Sequence, residues 1–479
     1  MATSSCEDAS NDSVNIYPTG FILLKPVVHH YPWGVTGETS LVYRLYSQFM
    51  DANSASSTPP TLEDRYAELW LGTHTRGPST VVSPQGDEPL SAHLKRLQSL
   101  SPRDGKESEY LGFLLKVLAI DKPLSIQLHP DAAISSQLLI AGHASITDNR
   151  EKAEVCIALT QFEALYSLKW LKEIVSEAQQ VPEFGEFLKA SGCGDILAIT
   201  DFSDSKECYR QTIRIVQCIL GSENSGDELL AQLTSRLEHA ADVGSSLSAC
   251  EELLLRLHQS FPNDSGIWFG LIMNYVRIEP GNALFVPPNT IHSYISGTCV
   301  ECMASSDNVI RGGLTRKHTD HKAVLQCLNR TFNTHSVSFI DPVPVDKEQF
   351  IVLYEVPHIS CNFSVARICV PPGERVEYVP KSQSKCAIAI VIASNPSVEF
   401  SAVPISPRTT SPTAADERYG TLLAPKLGTA LLIYPGTSIR VYNGHNASIC
   451  GDSTVPETFM LPDVSAWFVM FIAYSKGCT

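Results

Sequence analysis

The chain has 479 residues, 43% hydrophobic and 18% charged, enough for several folded units and too ordinary a mix for a collagen-like, coiled-coil or wholly disordered protein. With 36 Lys and Arg against 51 Asp and Glu, the formal net charge is −15. That disfavours a broad nucleic-acid-binding surface, so an anionic ligand needs a local basic pocket. The longest apolar runs, Ala387–Ala393 and Ala466–Tyr474, fall far short of the roughly 18 residues of a membrane span and read as sheet strands.

The first residues, MATSSCEDASND, are polar and acidic, with neither the basic nor the apolar stretch of a signal peptide. The 14 cysteines are scattered from Cys6 to Cys478 without a repeating framework, as expected for reduced thiols in the cytoplasm.

In chain order, Tyr17 to about Thr160 shows short apolar runs broken by Gly, Pro and polar clusters, which predicts strands and turns, with a surface loop at Asp51–Thr61. Leu168–Leu257 then reads as helical. Ile213, Val216 and Leu220 form one apolar stripe, and Leu229, Leu230, Leu233 and Leu237 another, the second preceded by a Ser225/Glu228 capping box. Strand texture resumes at Trp268, with a Pro/Ser/Thr-rich loop at Val403–Ala414. The expected plan is a helical block (161–262) inserted into a β unit (1–160 and 263–335), followed by a second β unit (336–479).

Three segments concentrate chemistry. In LSIQLH, a strand would place Ser125, Gln127 and His129 on one face, so an amide oxygen and an imidazole could reach one ion. Read alone, the segment is equally a solvent-facing strand with an incidental His. Gly281–Ser296 (GNALFVPPNTIHSYIS) follows the Gly, Pro and His spacing of the second cupin motif, with Ser296 in place of the usual final Asn, and puts His292 and Tyr294 on one strand face. Glu154 could add a carboxylate to a zinc site of His nitrogens and an amide oxygen. In isolation it reads as a surface glutamate. Cys299 and Cys302 would face opposite sides of a strand, which argues against a metal pair. Glu301–Lys317 (ECMASSDNVIRGGLTRK) brings Glu301, Asp307, Asn308, Arg311 and Lys317 together around Gly312–Gly313, a set able to hold an oxyanion or phosphate, or simply a solvated charged loop.

Together with YPWG at Tyr31–Gly34, AELWLGTH at Ala67–His74 and FLLKVLAIDKPLSIQLHPD at Phe113–Asp131, these segments resemble type I phosphomannose isomerases, a zinc-dependent cupin family, in the family order over about the first 320 residues. The resemblance implies a mainly β fold: a cupin (jelly-roll) catalytic domain, an inserted α-helical domain and a C-terminal cupin-like β domain without a metal site. It implies one zinc per chain on Gln127, His129, Glu154 and His292, with Arg311, Glu301, Tyr294 and Lys152 as catalytic residues. Trp33, Lys116, Ser125, Asp307 and Lys317 would bind substrate, with Lys116, Ser125 and Lys317 at the phosphate. The implied reaction is the interconversion of mannose 6-phosphate and fructose 6-phosphate through an enediol, feeding GDP-mannose synthesis. A cytoplasmic monomer with a small phosphosugar substrate, and no nucleic-acid or membrane partner, is expected. The alternative is a non-catalytic sugar-phosphate-binding cupin, because the chain departs from the family's HKPE at Glu151-Lys152-Ala153-Glu154 and carries Arg316 where LTPK has Pro.

Overall fold

The computed structural model describes residues 20–53, 60–83, 86–100, 111–221, 227–331, 337–356, 363–381, 385–405, 421–444 and 466–475. It is mainly β, built on three larger sheets and ten helices among these residues: α1 (Leu41–Asn53), α2 (Leu90–Leu100), α3 (Ala132–Ile140), α4 (Leu171–Gln180), α5 (Pro182–Ala190), α6 (Ser205–Leu220), α7 (Asp227–Asp242), α8 (Ala249–Ser260), α9 (Phe269–Ile272) and α10 (His321–Leu328). None of the helices is long and apolar enough to cross a membrane.

The first sheet is organised on one long strand, His292–Ala304. Its first half pairs with Ile126–Leu128 and Phe162–Leu168, and its second half with Glu154–Ala158 and Phe113–Ile120. Gly297, at φ 113°, marks the change of partners. A Cβ there would lie 2.6 Å from the Gln161 carbonyl, so only glycine lets the strand pass this close. Cys302 packs into the core on one side of this strand and Cys299 into the core on the other, as the alternation requires.

Helices α4–α8 lie between two strands that pair with each other, Phe162–Leu168 and Met273–Ile278. The block is thus an excursion from a single strand pair, packed around Trp268, whose ring stacks on Phe184 and Phe187 at 5.5 and 5.1 Å. Burying such a ring stabilises by roughly 1.5–3 kcal/mol. Ser296 shows what replaces the cupin Asn. Its hydroxyl donates to Glu163 at 2.5 Å, where Arg256 of α8 also donates at 2.7 Å, and the Tyr275 hydroxyl donates to the other carboxylate oxygen. This cluster ties the helical block to the sheet.

The second sheet, of nine strands, is apolar on both faces. Ile388 and Ile390 point into the core shared with the first sheet, whereas Ala387, Ala389 and Val391 point at the four-stranded third sheet. The two apolar runs predicted as strands lie here, as Ala387–Ala393 and Phe468–Ser475.

Several expectations are corrected. The first 160 residues contain α1, α2 and α3, and Asp51–Asn53 closes α1 instead of opening a loop; the remainder of that loop up to residue 59 lies outside the described residues. Trp268 ends a 3-10 turn, so strand structure resumes only at Met273. The nine-stranded sheet takes Phe21–Lys25, Thr80–Val82 and Glu88–Pro89 alongside Ala430–Ile433 and its neighbours, so pairing cuts across the expected separation of 1–160 from 336–479. Ser225 and residues 406–414 lie outside the described residues.

Candidate active site

The side chains of interest converge because neighbouring strands place them in register. Gln127 pairs across to His292 on one side and to Arg311 on the other, while Lys116 lies opposite Glu301. Asn289, at φ 63°, turns the chain before His292. Its backbone N–H donates to the His129 carbonyl at 2.6 Å, and its side chain accepts from Asp131 N–H and donates to the Asp131 carboxylate, both at 2.9 Å.

His129, Glu154 and His292 are buried with one ligand atom each inside a 4.8 Å group. His129 Nε2 lies 3.1 Å from one Glu154 oxygen and His292 Nε2 lies 3.6 Å from the other. Each imidazole has its Nδ1 against a backbone carbonyl: Asn308 at 2.7 Å for His129 and Thr290 at 2.9 Å for His292. A carbonyl only accepts, so Nδ1 carries the proton and each Nε2 turns a bare lone pair toward Glu154. Burial lowers both histidines, His292 to about 4, keeping them neutral. Burial alone would raise Glu154, but the Lys152 ammonium at 3.1 Å holds it below the usual carboxylate range.

Lone pairs gathered around a carboxylate repel one another unless a cation lies among them. His129 Nε2 and one Glu154 oxygen are buried without a hydrogen-bond partner among the described residues, so the donor set fits a divalent metal ion. The Gln127 amide lies 3.5 Å from His292 Nε2, and turning its amide about offers an oxygen as the fourth ligand.

The centre opens into a cleft of about 490 Å³ that brings together Trp33, Lys116, Ser125, Gln127, Lys152, Glu154, Tyr294, Glu301, Arg311 and Lys317. Asp307 is held at its edge by His74 at 3.3 Å and Arg76 at 2.5 Å. Burial pushes Glu301 up to about 7 despite Lys116 at 2.9 Å. Lys116 also faces Glu68 at 3.6 Å and lies over the Trp70 ring, and Trp70 Nε1 donates to Glu68 at 2.5 Å. The Tyr294 hydroxyl is buried with no hydrogen-bond partner among the described residues, and burial raises it well above the usual phenol range.

Arg311 and Lys317 have no carboxylate partner among the described residues. Burial lowers both, and Arg76 repels the proton of each, so the three cations crowd one part of the cleft. Arg76, Trp70 and Glu68 escaped the sequence reading although they lie in or beside the AELWLGTH stretch; only a chain fold could reveal that this turn borders the cleft. Of the departures from the family pattern, Arg316 lines the cleft and adds a cation. Glu151 is outside the lining, its carboxylate accepting from the Ala132 N–H at 3.5 Å as α3 begins.

A buried His–Glu–His centre at the base of a basic cleft, within an antiparallel β fold, defines a metal-binding cupin of the enzyme type. Residues 21–171 match the family model for the phosphomannose isomerase type I catalytic domain. The human mannose-6-phosphate isomerase is 32% identical over 389 residues, covering 78% of this chain and 89% of the human one. Mannose-6-phosphate isomerase 1 of Arabidopsis thaliana is 34% identical over 312 residues, covering 64% of this chain and 70% of the plant protein. A phosphomannose isomerase crystal structure from Salmonella typhimurium shares the fold with a TM-score of 0.68 at 20% identity, over 95% of this chain and 100% of its own. A zinc-bound mannose 6-phosphate isomerase gives 0.67 at 20% identity with the same coverage. The chain belongs to the mannose-6-phosphate isomerase family.

Proposed function

We propose that this protein interconverts D-mannose 6-phosphate and D-fructose 6-phosphate with zinc held by Gln127, His129, Glu154 and His292. The observation that carries the reading is the buried His–Glu–His centre opening into a cleft lined by Arg311 and Lys317. When bound, zinc supplies Lewis acidity toward the sugar oxygens and the developing enediolate.

The remaining work falls to the chain. Aldose–ketose exchange requires ring opening, removal of the proton beside the carbonyl and its return to the adjacent carbon. Glu301, raised to about 7, is the proton carrier, with Lys116 balancing its charge when ionised. Tyr294 and Lys152 flank it as proton-transfer partners. Arg311 is the fixed cation beside the reacting oxygens, and Trp33 forms an apolar wall for the ring. Ser125 and Asp307 orient the sugar.

Lys116 already has two carboxylate neighbours and Arg76 is paired with Asp307, so we assign the phosphate mainly to Lys317, with Arg76 beside it and Lys116 and Ser125 as inner contacts. We infer a cytoplasmic monomer feeding mannose-nucleotide synthesis; the free cysteines among the described residues fit a reducing compartment. The helical division expected at 161–262 is taken as the excursion between the paired strands, whose helices α4–α8 run from Leu171 to Ser260.

The test is metal analysis with a coupled assay for fructose 6-phosphate. About one zinc per chain, activity lost to a chelator and activity restored by zinc are expected. A zinc-loaded protein without turnover would leave only the sugar-phosphate-binding reading.

A further inference from the structure

Away from the cleft, the helical block carries a second reactive cluster. Cys193, just before the 3-10 turn Gly194–Ala198, and Cys218, in the last turn of α6, bring their sulfurs to 2.9 Å. Both line a surface cleft of about 400 Å³ with Gly192, Arg214 and Gln217. Cys193 is 2% exposed and Cys218 half-buried, so solvent reaches the pair through Cys218.

The approach is braced on both sides. Arg214, one turn before Cys218 on the same helix face, grips both Asp195 oxygens at 2.8 and 3.1 Å and donates to the Gly192 carbonyl at 3.2 Å. Cys218 donates to the Ser191 carbonyl at 3.3 Å. The loop bearing Cys193 is thereby held against α6. A second thiol pair, Cys156 and Cys299, is fully buried and closed to a dissolved oxidant.

We propose that Cys193 and Cys218 form an oxidisable dithiol that hydrogen peroxide converts into an intramolecular disulfide, stapling the Ser191–Asp195 loop to α6. One thiolate attacks the peroxide, breaking its O–O bond to give a sulfenic acid and hydroxide. The neighbouring thiol then attacks the sulfenic sulfur; the S–S bond forms and water leaves. Two thiols lose two electrons and two protons, and the peroxide is reduced to two waters. Burial and the Cys193 contact push the Cys218 thiol up to about 12, so thiolate is scarce at neutral pH and oxidation accelerates as pH rises. The cross-link spans 25 positions and draws the two sulfurs from 2.9 Å to bonding distance, so it acts mainly by restricting the unfolded chain.

The experiment uses the full-length reduced protein exposed to hydrogen peroxide at pH 8, then alkylated, digested and analysed by mass spectrometry. A peptide linking Cys193 to Cys218, a Tm higher by roughly 3–6 °C and reversal of both by dithiothreitol are expected. Cys193→Ser and Cys218→Ser should each abolish the link, and Arg214→Ala should slow its formation severalfold. Recovery of both cysteines singly alkylated, or of Cys218 as a sulfinic acid beside a free Cys193, would overturn the proposal.

Discussion

The Asp264 carboxylate, at the exit of the helical block, accepts the backbone N–H of Leu314 at 3.0 Å, in the turn between Arg311 and Lys317. It also accepts from Thr315 at 3.1 Å and Gly266 at 2.7 Å. Leu314 has φ 50°, a backbone conformation that costs energy outside glycine and persists only where neighbours enforce it. Gly266 and Gly313 allow the contact: a Cβ on either would come within 2.8 Å of the other segment's backbone. The cations of the cleft are therefore positioned by a residue that never faces it.

Asp264→Ala should release this turn. We expect kcat/KM for mannose 6-phosphate to fall at least tenfold, about 1.4 kcal/mol, with zinc still near one per chain. Asp264→Asn, which keeps an acceptor oxygen, should recover part of the loss. Wild-type kinetics in the alanine variant would remove Asp264 from the positioning role.

His292→Ala and Arg311→Ala separate metal holding from chemistry. The first should lower bound zinc measured by elemental analysis. The second should reduce turnover by a hundredfold or more at unchanged zinc content. Stoichiometric zinc in the His292 variant would refute its assignment as a ligand.

Arg76 should act on substrate capture. Arg76→Ala is expected to raise KM about tenfold with a smaller change in kcat, and to weaken the dependence of kcat/KM on salt. An unchanged KM and salt dependence would return the phosphate to Lys116 and Ser125.

Glu163 gives a pH signature in stability. Burial works against its ionisation, yet hydrogen bonds from Arg256, Ser296 and Tyr275 lower it to about 2 from an ordinary 4.5. The folded-state pKa is depressed, so its stabilisation is present above about 4.5 and is lost as pH falls toward 2, by up to about 3 kcal/mol. Denaturant unfolding at pH 6 and pH 3 should show wild type losing more stability on acidification than Glu163→Gln. Equal losses would show that the cluster contributes nothing to acid sensitivity.

Glu151→His introduces the His expected from the HKPE pattern of the resemblance at a position outside the cleft lining. Turnover is expected to change less than twofold in the coupled assay. A large gain would mean that the position reaches the substrate.

Alternation by two along a strand put Gln127 with His129 and His292 with Tyr294 in the sequence, but Glu154 taken alone read as a surface glutamate, and the full ligand set came only from the family resemblance. Helix α1 was also written in the sequence: Leu41, Val42, Leu45, Phe49 and Met50 follow the helical repeat and all are buried. Its short aromatic and apolar runs look strand-like when taken piece by piece. Arg76 and Asp264 were not legible, since each acts on residues far along the chain and no local pattern records such a meeting. The pairing of Phe21–Lys25 with Ala430–Ile433 was hidden for the same reason.

That last pairing sets an order of assembly. Gly20 N–H donates to Thr437 Oγ1 across 417 positions, and the first strand lies between Thr80–Val82 and Ala430–Ile433. During synthesis the opening strand must wait, one edge unpaired, until nearly all the chain has emerged. A protein shortened before Ala430 would lose more than a terminal sheet, because that open edge is a template for pairing with another chain.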